Sequence, residues 1–320
     1  MSLPRYQDLP SCPDMPSHKC SWGLFDKQGE KDTVGTLNLL TPEVARKAKD
    51  LVMVGESVSL DLPLDFLKTP AFRRKKFERK VHTNPHNEKL SCDDEIHINT
   101  QSSSQWDGHC HFGVYECNKF YNGISLSEIE AGTNPGISEW LKRGGVVGRG
   151  VLLDYEEYAR RHRILYSPVE RHEITINDLE KMIQEQGVTI EQGDILIIRS
   201  GLTAVRNSCD NPDTFEQQMG KGKFVGVKGG AETAQWFWDH KVAAVAGDTV
   251  AFEAWPPTKW NESLHVHLLA MLGIPLGELW NLEPLAQKCK ALNRYTFFLT
   301  SAPLNVTHGI ASPPNALAIF

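Results

Sequence analysis

Four short apolar runs most constrain what this chain can fold into. Residues 146–153, 194–199, 242–247 and 295–300 are rich in β-branched, leucine or aromatic side chains and read as buried strands. Helical patterns alternate with them. Residues 175–186 form a helix closed by Gly187, 231–240 another, and 263–272 a third closed by Gly273. Upstream, Thr41 is a natural N-cap with Pro42 at the first helical position, and 58–64 alternates with period two. Strands and helices mixed along the whole chain predict a single α/β domain on a curved, barrel-like mixed sheet. Residues 1–35, rich in Pro, Cys and charge, read as an N-terminal arm, which leaves 36–320 as the domain.

Charge narrows the partners. A net charge of −6 argues against a phosphate-backbone binder, so no nucleic-acid partner is expected. The one dense basic run, Arg73 to Lys80, reads as a solvated loop. No run approaches the ~18 apolar residues of a membrane span, and no apolar leader is visible, so a soluble cytoplasmic protein is expected. Seven scattered cysteines without a CxxC pair point to reduced thiols.

Polar residues that a core would not tolerate concentrate in one segment, Gln101-Ser-Ser-Ser-Gln105-Trp-Asp107-Gly-His109-Cys-His111. If it is extended, Gln101, Gln105, Asp107, His109 and His111 share one face. Such a face is either a solvated loop or a metal or acid/base site, because Asp and His ligate cations and carry protons near neutral pH. A second cluster holds His265, His267 and Glu278. On a helix His265 joins Leu268, Leu269 and Leu272 on the buried side, and His267 points elsewhere. Cys110 would face away from its flanking histidines and reads as an inert core thiol. Ser200 lacks a nucleophile-elbow frame. Residues 222–230, with four glycines, read as a flexible loop and a candidate lid.

These segments together resemble the kynurenine formamidase-like cyclase family. The family has a stretch of the form His-x-Gly-Thr-His-x-Asp-x-Pro-x-His, in which Gln101, Gln105, Asp107 and His111 stand at four polar positions. His265-Val-His-Leu-Leu, Gly273-Ile-Pro and Glu278 match a later segment, and further matches run from about residue 20 to 315. The resemblance implies a swivelling β/β/α fold, a homodimer or homotetramer, and an arylformamidase-like hydrolase. It implies Asp107, His265 and Glu278 as ligands to a metal, and His111, with Asp107, as the catalytic pair. Gln101 and Gln105 replace two histidine ligands of the family, and His109 replaces its proline. That departure favours one divalent ion, Zn, Mn or Mg, over two, because an amide binds transition ions more weakly than imidazole. No nucleotide cofactor is implied.

The expected activity is hydrolysis of an amide, lactam or lactone in a small aromatic or cyclic metabolite. Gln101, Gln105, Trp106, Phe112 and Tyr121 are the expected substrate-binding residues. The alternatives are a metal-independent cyclase, dehydratase or isomerase, or a non-catalytic metabolite-binding protein.

Overall fold

A computed structural model describes residues 3–13, 15–84 and 90–320 of the chain; Met1, Ser2 and Asp14 of the expected arm lie outside the described residues. A nine-stranded sheet organises it. In chain order its strands are β1 (Ser57–Ser59), β2 (Gln105–Asp107), β3 (Val146–Asp154), β4 (Ile195–Arg199), β5 (Ala244–Gly247), β6 (Leu276–Glu278), β7 (Thr296–Ser301), β8 (Ala311–Ser312) and β9 (Ala316–Ile319). Across the sheet they run β8-β2-β6-β5-β4-β3-β7-β9-β1.

The middle four, β3 to β6, are parallel. Every residue of β4, β5 and β6 is buried, which is why Ile195–Ile198 and Ala244–Gly247 carry unbroken apolar runs; β6 instead ends in the buried acid Glu278. Antiparallel strands close both flanks, β2 and β8 beside β6, and β7, β9 and β1 beside β3. The sheet curls into a half-barrel within one mixed α/β domain. The expected strand over 58–64 is shorter in the structure. Leu60 N still reaches Ala316 O, but Leu62 N turns to the Ser104 side chain at 2.8 Å, so the edge strand leaves the sheet.

Local signals set the helix ends. Thr175 Oγ1 accepts from Asp178 N while the Asp178 carboxylate accepts from Thr175 N, a reciprocal cap on the helix Ile176–Gln186. Gly187 ends that helix in the left-handed region at φ 63°. Thr41 caps Pro42–Ala48 from one side only, its hydroxyl accepting from Val44 N. The segment before residue 40 places Leu3, Tyr6, Leu9 and Phe25 in the main core cluster. Among the described residues no helix is long and apolar enough to cross a membrane.

The expected α-helix over 263–272 is a π-helix, His265–Leu272, buried at all eight residues. Apolar side chains all round suit either helix, so the pattern could not distinguish them. Its C-terminal carbonyls are taken up by the N-terminal segment: Ser21 N donates to Met271 O at 2.9 Å and Trp22 Nε1 to Ala270 O at 2.7 Å. Gly273 follows at φ 64°, where a Cβ would lie 2.4 Å from the Tyr121 ring.

Candidate metal and acid/base centre

Strand register builds the floor of the site. β2 and β6 pair antiparallel, with Gln105 opposite Glu278 and Asp107 opposite Leu276. Residues directly opposite share a face and successive residues alternate, so Gln105, Asp107 and Glu278 project the same way. Gln105 Nε2 donates to Glu278 Oε2 at 2.5 Å. β2 ends at Asp107, and a turn closed by His111 N on Gly108 O brings His111 back over the strand end. His111 Nε2 then stands 3.8 Å from Asp107 Oδ2. Gln101 arrives from the preceding turn and donates Nε2 to Asp107 Oδ1 at 2.6 Å, with the His111 ring 3.0 Å from the same nitrogen.

The single extended face of five polar residues is therefore corrected. Turns on either side of a three-residue strand gather Gln101, Gln105, Asp107 and His111 and send His109 the other way. His109 bonds to Thr33 O and Gly273 O in the core. Both glutamines direct an amide N–H at a carboxylate, Gln101 at Asp107 and Gln105 at Glu278, and Gln105 Oε1 is buried without a hydrogen-bond partner.

The π-helix contributes His265, which sits between two acids. Nδ1 lies 2.6 Å from Glu253 Oε1, and Nε2 lies 3.1 Å from Glu278 Oε1 and 3.9 Å from Asp107 Oδ2. Glu253 is fully buried and also accepts from Leu264 N at 2.8 Å and Ser263 Oγ at 2.6 Å, fixing the helix start. Sequence reasoning passed over it. The available signal was a lone acid inside the apolar run 250–255, an arrangement that is costly unless the carboxylate has partners.

The glycine segment 222–230 is corrected from a flexible loop to a support for this acid. Val225–Val227 pairs in parallel with His172–Ile174, and a Cβ on Gly226 would lie 2.2 Å from the Glu253 carbonyl carbon. Only glycine lets the two backbones approach that closely. Arg74, also overlooked within the basic run, donates NH1 to Gln101 O at 2.8 Å.

Charge balance defines what the centre can hold. Burial raises the Asp107 carboxyl above its usual range, against the pull of His265 and Arg74. Glu278 is raised by burial and by neighbouring Asp107. Burial alone would lower the His265 imidazolium, but its hydrogen bonds to Glu253 and Glu278 outweigh that and hold it at about 10. Burial, then the nearby His265 charge, pushes His111 down to about 3, so it is a neutral imidazole at physiological pH.

One atom is left over. Asp107 Oδ2 is buried without a hydrogen-bond partner, and Asp107, His111 and His265 each offer a ligand atom within 4.8 Å of the others. His265 Nε2 stands 3.9 Å from Asp107 Oδ2 and 3.1 Å from Glu278 Oε1, spacings comparable with the roughly 3.4 Å between donors held at about 2.1 Å in a tetrahedron. The mutually close set takes His111 as its third member, and Glu278 reaches it through His265. The residues present fit a divalent cation. Nε2 of His265 is where a proton and such a cation would compete.

A cavity of about 610 Å³ opens beside His111, walled by Phe112, Tyr115, Phe120, Trp260 and Val266. Of the five expected substrate contacts only Phe112 lines it; Gln101 and Gln105 lie at the carboxylates, and the two aromatic ones face elsewhere. Trp106 lies on the opposite strand face against Trp140 and Trp280, donating Nε1 to Ser301 Oγ. Tyr121 is fully buried, with its hydroxyl on Asp32 at 3.1 Å. Cys110 is buried, donates to Pro135 O, and has its thiol pushed up to about 11 by burial, in keeping with an inert core thiol.

Fold and site together define a single-domain α/β protein with a buried carboxylate–imidazole centre at the edge of a curled sheet. A family profile described as "Putative cyclase" matches residues 57–254, and the chain belongs to that family. A crystal structure of a novel cyclase is 29% identical, with a TM-score of 0.79 over 94% of this chain and 99% of that one. Isatin hydrolase A from Labrenzia aggregata, bound to benzyl benzoate, shares the fold at 17% identity and a TM-score of 0.55, covering 88% of this chain and 98% of its own. An isatin hydrolase bound to the product analogue thioisatinate does so at 13% and 0.58, over 88% and 99%. No curated protein matches the sequence.

Proposed function

We propose that the protein is a metal-dependent hydrolase that opens an amide, lactam or lactone bond in a small aromatic or cyclic metabolite. The observation that carries this reading is the unpartnered, buried Asp107 Oδ2, placed between two imidazoles beside an aromatic-walled cavity. The fold shared with isatin hydrolases supports the reaction class. Asp107, His265 and Glu278 would hold one divalent ion, which when bound supplies Lewis acidity to a scissile carbonyl and to attacking water.

The chain's own residues do the rest. Glu253 accepts Nδ1–H of His265 and so presents Nε2 toward Asp107 and Glu278. Gln101 and Gln105 hold the two carboxylates in place. His111, at the cavity wall, takes a proton from water and returns it to the leaving nitrogen or oxygen, with the Glu278 charge working against the burial that weakens it as a base. Phe112, Phe120 and Trp260 exclude water from the face of a flat substrate.

A second reading, metal-independent acid/base chemistry, is favoured by one observation: a proton on His265 Nε2 would also compensate the surrounding carboxylates.

The test is a panel of aryl amides, lactams and lactones assayed on wild type and His111→Ala. The proposal expects ring opening or bond cleavage by wild type, and a loss of at least about 100-fold in the variant with its metal content retained. Near-wild-type turnover by the variant would remove His111 from the reaction. Loss of metal from it would make His111 a ligand.

A further inference from the structure

Arg74 meets the centre through Gln101. Its NH1 donates to Gln101 O at 2.8 Å, and the Gln101 side chain in turn reaches Asp107 and His111. Burial governs the protonation of Asp107, Glu278 and His111, and the Arg74 charge acts on each of them, drawing all three downward. Among the described residues, His265 is the other cation that does so.

The backbone bends to deliver this side chain. Phe72 and Arg73 both lie in the left-handed region, at φ 59° and 58°, which is costly for residues that carry a Cβ. The bend sets the guanidinium carbon 5.1 Å from the centre of the Phe72 ring. Phe72 meets Trp255 edge-on at 5.2 Å, and Trp255 lies 5.4 Å from Trp260 on the cavity wall and 6.4 Å from His265. A row of rings therefore joins Arg74 to the cavity. A guanidinium carries five N–H donors in a planar fork, and Arg74 engages only NH1. The side chain is half-buried, so Nε and NH2 stay open to a ligand. Its flanks are basic although the chain carries a net charge of −6. Lys75 is engaged by Glu78 and His97, but exposed Arg73 and Lys76 close no ion pair, and such a rim draws anions inward.

We propose that Arg74 is a specificity residue that binds a carboxylate on the substrate, so that the centre accepts aromatic or cyclic acids with the acid group close to the scissile bond. For the bond that breaks, this rests on the hydrolase reading above; it adds the group by which a substrate is chosen. Asp107, Glu253 and Glu278 bring three carboxylates to one divalent ion, and an anionic substrate is repelled there unless a cation meets it. The open edge of Arg74 can meet a carboxylate with two parallel N–H···O bonds, which a lysine could not.

Calorimetric binding of benzoate and of nitrobenzene, its uncharged isostere, to wild type, Arg74→Gln and Arg74→Lys tests this. Neither probe has a bond for a hydrolase to open. Wild type is expected to bind benzoate at least about tenfold more tightly than nitrobenzene. Arg74→Gln, which keeps a donor for Gln101 O, removes that preference and leaves nitrobenzene binding unchanged. Arg74→Lys restores part of it, because it returns the charge without the fork. Wild type that does not distinguish the two probes, or binds neither, would overturn the proposal. So would a preference for benzoate that survives in Arg74→Gln, since the carboxylate would then sit on the metal. A loss of both probes together would overturn it too, reducing Arg74 to a support for Gln101. An enzyme active on the amide, lactam and lactone panel but indifferent to the charge of benzoate would refute this inference and leave the hydrolase reading standing.

Discussion

Asp107 is held by Gln101 through one carboxylate oxygen and leaves the other pointing between two imidazoles. Such a buried acceptor is costly to leave unsatisfied, by about 1–3 kcal/mol, and that cost is what a bound cation removes. Glu253 acts one step further out, through His265 Nδ1. Glu253→Gln is expected to weaken divalent-metal affinity about 10–100-fold while preserving the fold, measured by competition with a chelating indicator. Unchanged affinity would show that Glu253 serves only the helix start. At this scale the sequence was legible where residue type is chemically unusual. Asp107 and His111 stood out as members of a dense polar segment, whereas His265 and Glu278 acquired their role only through the family resemblance. Trp106 and Tyr121 did not reveal their direction, because an aromatic side chain serves a core and a pocket equally well, and a strand of three residues sets which.

At the scale of elements, three of the four parallel strands, β3, β4 and β5, were readable because burial on both faces demands continuous apolar runs; β6, of three residues ending in Glu278, was not. The turn after Asp107 was not, because nothing in alternation marks where extension stops. The π-helix was equally hidden. Its C-terminal end relies on Gly273, whose carbonyl accepts from Thr36 N and Thr36 Oγ1 and whose hydrogen faces the Tyr121 ring. Gly273→Ala would combine a left-handed backbone with a ring clash, and is expected to cost more than about 2 kcal/mol in urea unfolding. Thr175→Ala, which removes only a cap, is expected to cost about 1 kcal/mol by the same measurement. Similar losses from the two substitutions would mean that the helix end tolerates a side chain and does not position His265 from below.

For the molecule as a whole, stability depends on pH through a histidine the site does not use, His267. His267 is buried and stacked on His18, with ring centroids 4.7 Å apart and no hydrogen-bond partner for either ring nitrogen. Burial, with His18 adding to it, pushes His267 down to about 4. The unfolded chain binds this proton near pH 6.5 and the folded chain only near 4, so the contribution is intact above 6.5 and lost as pH falls through that window. The loss should reach about 3 kcal/mol between pH 7 and pH 4 relative to His267→Gln, read from urea unfolding of both proteins. Parallel pH profiles for the two proteins would count against it.

The central claim is that one cation completes the cluster of Asp107, His265 and Glu278. Elemental analysis of protein purified without chelator tests it most directly, on wild type and Asp107→Asn. About one divalent ion per chain in wild type, falling below roughly a tenth in the variant, is the predicted result. Wild type that carries no stoichiometric metal, and turns over substrate equally well in excess chelator, would contradict it.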